Sequence, residues 1–223
     1  SHRVLIHGVG QHSLDESDAF HELFQLAGGD GHGYVGAEGL GGQGDMHLQH
    51  IKAKRRGRQI HLLLETLAGT PEDNWPELSA RVLSQGEDAA TGEDLAALTK
   101  AAGSVLTAPA LADIFTPDAL VEVPITAQLD ALNGARIHGI IDRLIVTPTH
   151  VTAIDYKTNA IVPETPETCP DGLLRQMGAY AHALQQLYPD RIIRTALLWT
   201  QTAQLMPLPH DLVTQALHNT HIP

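Results

Sequence analysis

Thiols are nearly absent: Cys169 is the single cysteine among 223 residues. One thiol cannot close an internal disulfide or complete a multi-thiolate zinc or iron–sulfur site, so redox chemistry is not expected. Long apolar runs are missing too. None approaches the roughly 20 residues that cross a bilayer, and the opening "SHRVLIHGVGQHSLDE" lacks the charged region, apolar stretch and cleavage site of a secretion signal. A soluble, cytoplasmic protein with no membrane partner is the expectation. Positive charge is scarce, with 14 Lys and Arg against 26 Asp and Glu and a formal net charge of −12. That total argues against autonomous, tight binding to a phosphate backbone, but not against a catalytic module that receives nucleic acid from a partner. An initiating methionine is lacking as well, and a start at Ser1 suggests a piece of something larger or a processed chain.

What is present divides by period. "SDAFHELFQLAGG" predicts one short helix capped by Ser17 or Asp18, and about half of residues 28–44 are glycine, as in a flexible linker. Residues 1–45 are therefore set apart from a domain over 46–223. In "KAKRRGRQIHLLLETLAG", Ile60, Leu63, Leu64 and Leu67 recur at helical spacing and Gly69 supplies the stop. "TPEDNWPELSARVLSQ" and "TGEDLAALTKAAGSVLT" each open on a capping residue and an acidic first turn, which predicts two more helices. Then the period changes. "DALVEVPITAQL", "ARIHGIIDRLIVT" and "HVTAIDYKTN" are rich in β-branched residues and separated by short turns, predicting a three-stranded antiparallel meander. A long amphipathic helix, "DGLLRQMGAYAHALQQLYP", a fourth strand, "RIIRTALLWTQ", and a last helix, "PHDLVTQALHN", close the chain. The order is helices, then β-β-β-α-β, then α: an α/β fold with a mixed sheet flanked by helices.

Residues 139–159, "GIIDRLIVTPTHVTAIDYKTN", place charges where a sheet is usually buried. Strand alternation puts Asp155 and Lys157 on one face, with Ile154 and Tyr156 on the other. By the same count Ile140, Asp142 and Leu144 share a face, and the short turn "TPT" can bring Asp142 beside Asp155. Two carboxylates at close range repel unless a proton or cation intervenes, and a hard divalent cation with oxygen ligands resolves the conflict. The other reading of the same residues is structural: an ordinary Asp155–Lys157 pair, with Asp142 bound to Arg143 or Arg136.

Together the motifs G-x-I-D-R-L, I-D-Y-K-T-N, Q-M-x-x-Y and a strand ending in L-W-T resemble the PD-(D/E)XK nucleases, and within them the nuclease domains of RecB- and AddA-type helicase–nucleases, most closely the AddA type. The similarity covers about residues 50–210 and implies a restriction-endonuclease-like core. It further implies that Asp142 and Asp155 bind metal with the backbone carbonyl of Tyr156, and that His61 in "GRQIHLLLE" is a further ligand. Lys157 would orient or deprotonate the attacking water, Glu122 in "LVEVPI" would help bind metal or water, and Gln176 and Tyr180 would contact DNA or brace Lys157. The implied cofactor is Mg²⁺ or Mn²⁺ with no iron–sulfur cluster, since iron–sulfur relatives of the AddB type use several cysteines. The implied activity is a DNA exonuclease working in double-strand break repair and recombination, fed single-stranded ends by a helicase motor and paired with an AddB-like subunit. A rival from another class is a non-catalytic nucleic-acid-binding or subunit-docking module that retains the fold.

Three other signals weigh little or remain double. "GHGYVG", residues 31–36, satisfies G-x-G-x-x-G but does not follow a strand. "HELFQ" has glutamine where a zinc-protease helix needs its second histidine. The dense basic run "KAKRRGR", Lys52 to Arg58, is either a solvated helix start or a phosphate contact one turn from His61, with Arg58 as the contacting or bracing residue.

Overall fold

A computed structural model of the chain describes residues 5–6, 43–159 and 161–220. The helix expected within residues 17–29, the glycine-rich stretch up to residue 42 and the "GHGYVG" match lie outside them. Among these residues five α-helices surround one sheet: α1 (Gln43–Leu67), α2 (Trp75–Val82), α3 (Gly92–Leu106), α4 (Asp171–Leu187) and α5 (His210–His218). The strands are β1 (Leu5–Ile6), β2 (Leu120–Leu129), β3 (Ala135–Val146), β4 (His150–Lys157), β5 (Ile192–Trp199) and β6 (Gln204–Leu208), in the spatial order of their numbering. All neighbours run antiparallel except β4 and β5. That parallel pair needs a crossover, which α4 supplies.

The mixed sheet between helical layers agrees with the fold class read from the sequence. Two elements depart from it. A strand beyond β5 was not expected: β6 pairs with β5 through Thr195↔Leu208 to Trp199↔Gln204 and contains Pro207. Proline argues against a central strand, but β6 is the sheet's edge, where a missing N–H costs no ladder bond. The other departure is α1, which starts at Gln43, so its first nine residues precede the helix expected from Lys52. β1 pairs Leu5 with Thr126 and Ile6 with Ile125.

Each face of the sheet has its own core. On one side Ile60, Leu63, Leu64 and Leu67 of α1 pack with Leu98, Ala102 and Val105 of α3 against Ile154, Tyr156, Ala196 and Leu198. On the other, Leu174, Met177, Tyr180 and Leu184 of α4 and Val213 and Leu217 of α5 cover Val123, Ile125, Ile141, Ala153 and Leu197. Truncating a fully buried leucine such as Leu64 to alanine costs about 2–5 kcal/mol. The α4–α5 contact depends on Gly178, where a Cβ would sit 2.2 Å from the Val213 carbonyl oxygen.

Turn geometry sets the register that matters. Thr147 N–H donates to the His150 carbonyl at 2.9 Å, closing a two-residue hairpin loop. The β3–β4 ladder then runs Val146↔Val151, Ile145↔Thr152, Leu144↔Ala153 and Arg143↔Ile154, and ends there, although β4 continues to Lys157. The next step of that register is Asp142 opposite Asp155.

Candidate active site

Asp155 and Lys157 leave β4 toward α4, as alternation requires. Lys157 Nζ lies 2.5 Å from Asp155 Oδ2. Gln176, in the second turn of α4, touches both. Its Oε1 accepts from Lys157 Nζ at 3.4 Å, and its Nε2 donates to Asp155 Oδ1 at 3.1 Å and to the Tyr180 hydroxyl at 3.2 Å. Tyr180, one helical turn on, donates to the Ile140 carbonyl at 2.7 Å. That bond ties α4 to β3 two residues before Asp142. The ring fits because residue 139 is glycine: a Cβ there would lie 2.9 Å from Tyr180 Cε1.

Asp142 faces the gap where the ladder has ended. Its Oδ2 accepts the Tyr156 backbone N–H at 2.5 Å, and its Oδ1 is 3.6 Å from His61 Nδ1. His61 arrives from α1, across the sheet from Gln176, edge-on to Tyr156 with ring centroids 5.4 Å apart. In an extended strand the N–H and C=O of one residue point to the same side. The Tyr156 carbonyl therefore also faces the gap, beyond the last Arg143↔Ile154 rung. Neither Arg143 nor Arg136 pairs with Asp142. Arg143 is buried with its guanidinium 4.7 Å above the Phe115 ring.

Simple alternation fails at Asp142. Ile141 and Leu144, three apart, pack in the same core, so strict alternation does not run through residues 141–144. The neighbouring strand is irregular in the same row. Val121↔Arg143 and Val123↔Ile141 bracket Glu122, which stands opposite Asp142 with a left-handed φ of 47°. A non-glycine residue there carries strain on the order of 1–3 kcal/mol, of the kind that clusters at functional positions. Glu122, Asp142 and Asp155 thus occupy one row across three strands.

The electrostatics follow from three carboxylates sharing a low-dielectric place. Burial pushes Asp142 upward, but the charge and hydrogen bond of His61 and the Tyr156 N–H outweigh it and hold the carboxyl below its ordinary value. His61 shows the reciprocal effect, burial lowering it and Asp142 more than restoring it, so its pKa is raised. Asp155 is raised by burial and by Asp142 despite Lys157. Glu122 is pushed up to about 7, by burial first and then by the charges of Asp142 and Glu65.

Glu65 escaped the sequence reading. It lies four residues after His61, one turn along α1, and burial raises its own pKa. The signal was in "HLLLE": an acid at i+4 from a candidate ligand shares its helical face. Arg58, by contrast, is committed to Asp88 through contacts of 2.8 and 3.1 Å, and Gln59 bonds the Asp88 carbonyl at 2.9 Å. This ties α1 to the connection between α2 and α3, which is bracing.

Among the described residues no three His, Cys, Asp or Glu side chains converge as they stand on one point that could hold an ion. The donor chemistry fits a hard divalent cation nonetheless. One imidazole and two buried carboxylates lie near the end of the β3–β4 ladder, and Lys157 supplies one positive charge against the row of acids.

The chain matches the PD-(D/E)XK nuclease superfamily over residues 36–212. It belongs to that superfamily, whose members are usually nucleases and typically use divalent metals. No curated protein matches it. Among the described residues no helix is long and apolar enough to cross a membrane.

Proposed function

We propose that the chain is a Mg²⁺- or Mn²⁺-dependent DNA exonuclease domain of a helicase–nuclease that processes double-strand breaks. The observation that carries the reading is the linked set Asp142, Asp155, Lys157 and Gln176 at the open end of the β3–β4 ladder, with His61 closing it from α1. His61, Asp142, Asp155 and the Tyr156 carbonyl would hold the cation, with Glu122 beside them. When bound, such a cation neutralises phosphate charge and makes water a better nucleophile.

The chain's own groups do the rest. Lys157 places its ammonium where charge builds on the phosphate, and Asp155 and Gln176 fix its direction. In hydrolysis the water oxygen bonds to phosphorus, the bridging P–O bond breaks, and the released oxygen takes a proton. Lys157 or Glu122, the latter with its pKa near neutrality, is placed for proton transfer. The motor that would deliver single-stranded ends, and the AddB-like subunit beside it, follow from the likeness to AddA-type chains. They explain how a chain of net charge −12 works on a polyanion.

A second reading, a module that binds nucleic acid or a subunit without turnover, draws on the fact that among the described residues no three His, Cys, Asp or Glu side chains meet at one point. One experiment separates the two: labelled single-stranded DNA incubated with Mg²⁺ or Mn²⁺, with and without chelator. Metal-dependent cleavage that disappears in Asp155→Ala supports the nuclease. Cleavage that persists in that variant, or none in any metal, overturns it.

A further inference from the structure

Where α1 and α3 meet the end of β4 and the β5–β6 turn lies a cavity of about 350 Å³ that the catalytic reading does not use. Its walls are Arg56 from α1, Ser104 from α3, Thr158 after β4, and Thr200, Gln201 and Thr202 from the β5–β6 turn. Two of its lining residues neighbour candidate site residues along the chain: Ile60 precedes His61 and Thr158 follows Lys157.

The cavity is built onto the end of β4. Thr200 N–H donates to the Lys157 carbonyl at 2.9 Å, and Gln201 Nε2 donates to the Thr158 carbonyl at 3.5 Å. α1 approaches closely at Gly57, where a Cβ would lie 3.1 Å from Thr158 Oγ1.

The charge distribution points the same way. Five of the fourteen Lys and Arg residues fall within 52–58, and no acid stands between Asp45 and Glu65. Two of the five are committed to holding the fold: Arg55 donates to the Ala89 carbonyl and Arg58 pairs with Asp88. Arg56 is exposed on the cavity wall, with no ion-pair or hydrogen-bond partner among the described residues. One uncommitted guanidinium, several hydroxyls and an amide suit phosphate and sugar oxygens. The wall holds no aromatic residue to stack a base, so contact would be with the backbone and indifferent to sequence.

We infer that this cavity is a binding groove for the sugar–phosphate backbone of a single nucleic-acid strand, leading to or from the acidic row, with Arg56 as its phosphate anchor. The inference rests on the nuclease reading for the strand's destination, but not for its binding.

Binding of a labelled single-stranded oligonucleotide to the full chain in chelator, across a salt series, tests it without cleavage. Arg56→Glu is expected to weaken binding at least tenfold and reduce the salt slope by about one unit. Thr202→Lys, on the same wall, is expected to tighten binding. Arg136→Glu, the same charge change at the far end of β3, is expected to alter it less than twofold. Equal losses in Arg56→Glu and Arg136→Glu, or no gain in Thr202→Lys, would overturn the groove. Hydrolysis of a small phosphodiester by the wild-type chain with Mn²⁺ tests the nuclease reading separately. If that hydrolysis is absent, the catalytic assignment fails and the binding series still decides the groove.

Discussion

Gln176 is bonded at once to Asp155 and to Lys157, its nitrogen giving to the carboxylate at 3.1 Å and its oxygen receiving from the ammonium at 3.4 Å. A buried ion pair is costly to break from one side only, because the remaining charge has no water to turn to. Lys157→Met should therefore lower the unfolding free energy by about 3 kcal/mol in chelator at pH 7, and abolish cleavage. Gln176→Ala, which keeps the pair but frees its orientation, should cost about 1 kcal/mol and slow cleavage about tenfold. Urea denaturation and single-turnover rates measure the two effects. A Gln176→Ala protein that cleaves at the wild-type rate would remove the bracing role.

Metal binding should appear as stability. A cation that binds only the folded chain adds about 2.7 kcal/mol when present at 100 times its Kd. Titration with Mn²⁺ is thus expected to raise the melting temperature, and chelator to reverse the rise. In Asp142→Asn the increase should be largely lost, since one carboxylate of the row is gone. Thermal unfolding followed by circular dichroism gives the answer without any nuclease assay.

Glu122 titrates near pH 7 in the folded chain, against 4.5 for an ordinary glutamate. Between those values the folded state keeps a proton that the unfolded state has released. Stability contributed by this group therefore falls as pH rises from about 4.5 to 7 and stays low above it. Replacement by glutamine removes the burial cost of the charge. Glu122→Gln should thus be more stable than wild type by up to about 3 kcal/mol at pH 8 in chelator, with little difference at pH 4. Parallel wild-type and variant curves across that range would contradict the burial of this carboxyl.

Two glycines make a contrasting pair. A Cβ at Gly178 meets the backbone oxygen of Val213, which cannot move without shifting α5, so Gly178→Ala should destabilise by about 3 kcal/mol. A Cβ at Gly139 meets the Tyr180 ring instead. Gly139→Ala should cost less in stability, about 1 kcal/mol, but slow cleavage as Tyr180 withdraws from Gln176. The ratio of rate loss to stability loss in the two variants tests whether Tyr180 acts through Gln176.

Much of this was legible beforehand because it depends on counting. Two-residue periodicity placed Asp155 and Lys157 on one face, and a tight turn at 147–150 is sufficient to set Asp142 against Asp155. Counting does not reach the remaining features. The left-handed backbone at Glu122 and the break in alternation at Asp142 depend on dihedral angles that residue order does not record. β6 was hidden by Pro207, whose cost depends on whether a further strand lies alongside. Glu65 was visible as an acid one turn from His61, but its relation to Glu122 needed α1 laid against the sheet.

The end of the β3–β4 ladder at Arg143↔Ile154 has a consequence for engineering. The strands part like cloth at an unsewn seam, and the acids line the open hem. Tyr156 gives its N–H to the Asp142 side chain there instead of to a neighbouring strand. An apolar residue at 142 would invite the two backbones to join further. The chain most improved as a sheet would then be the one that has closed the opening the proposed function needs.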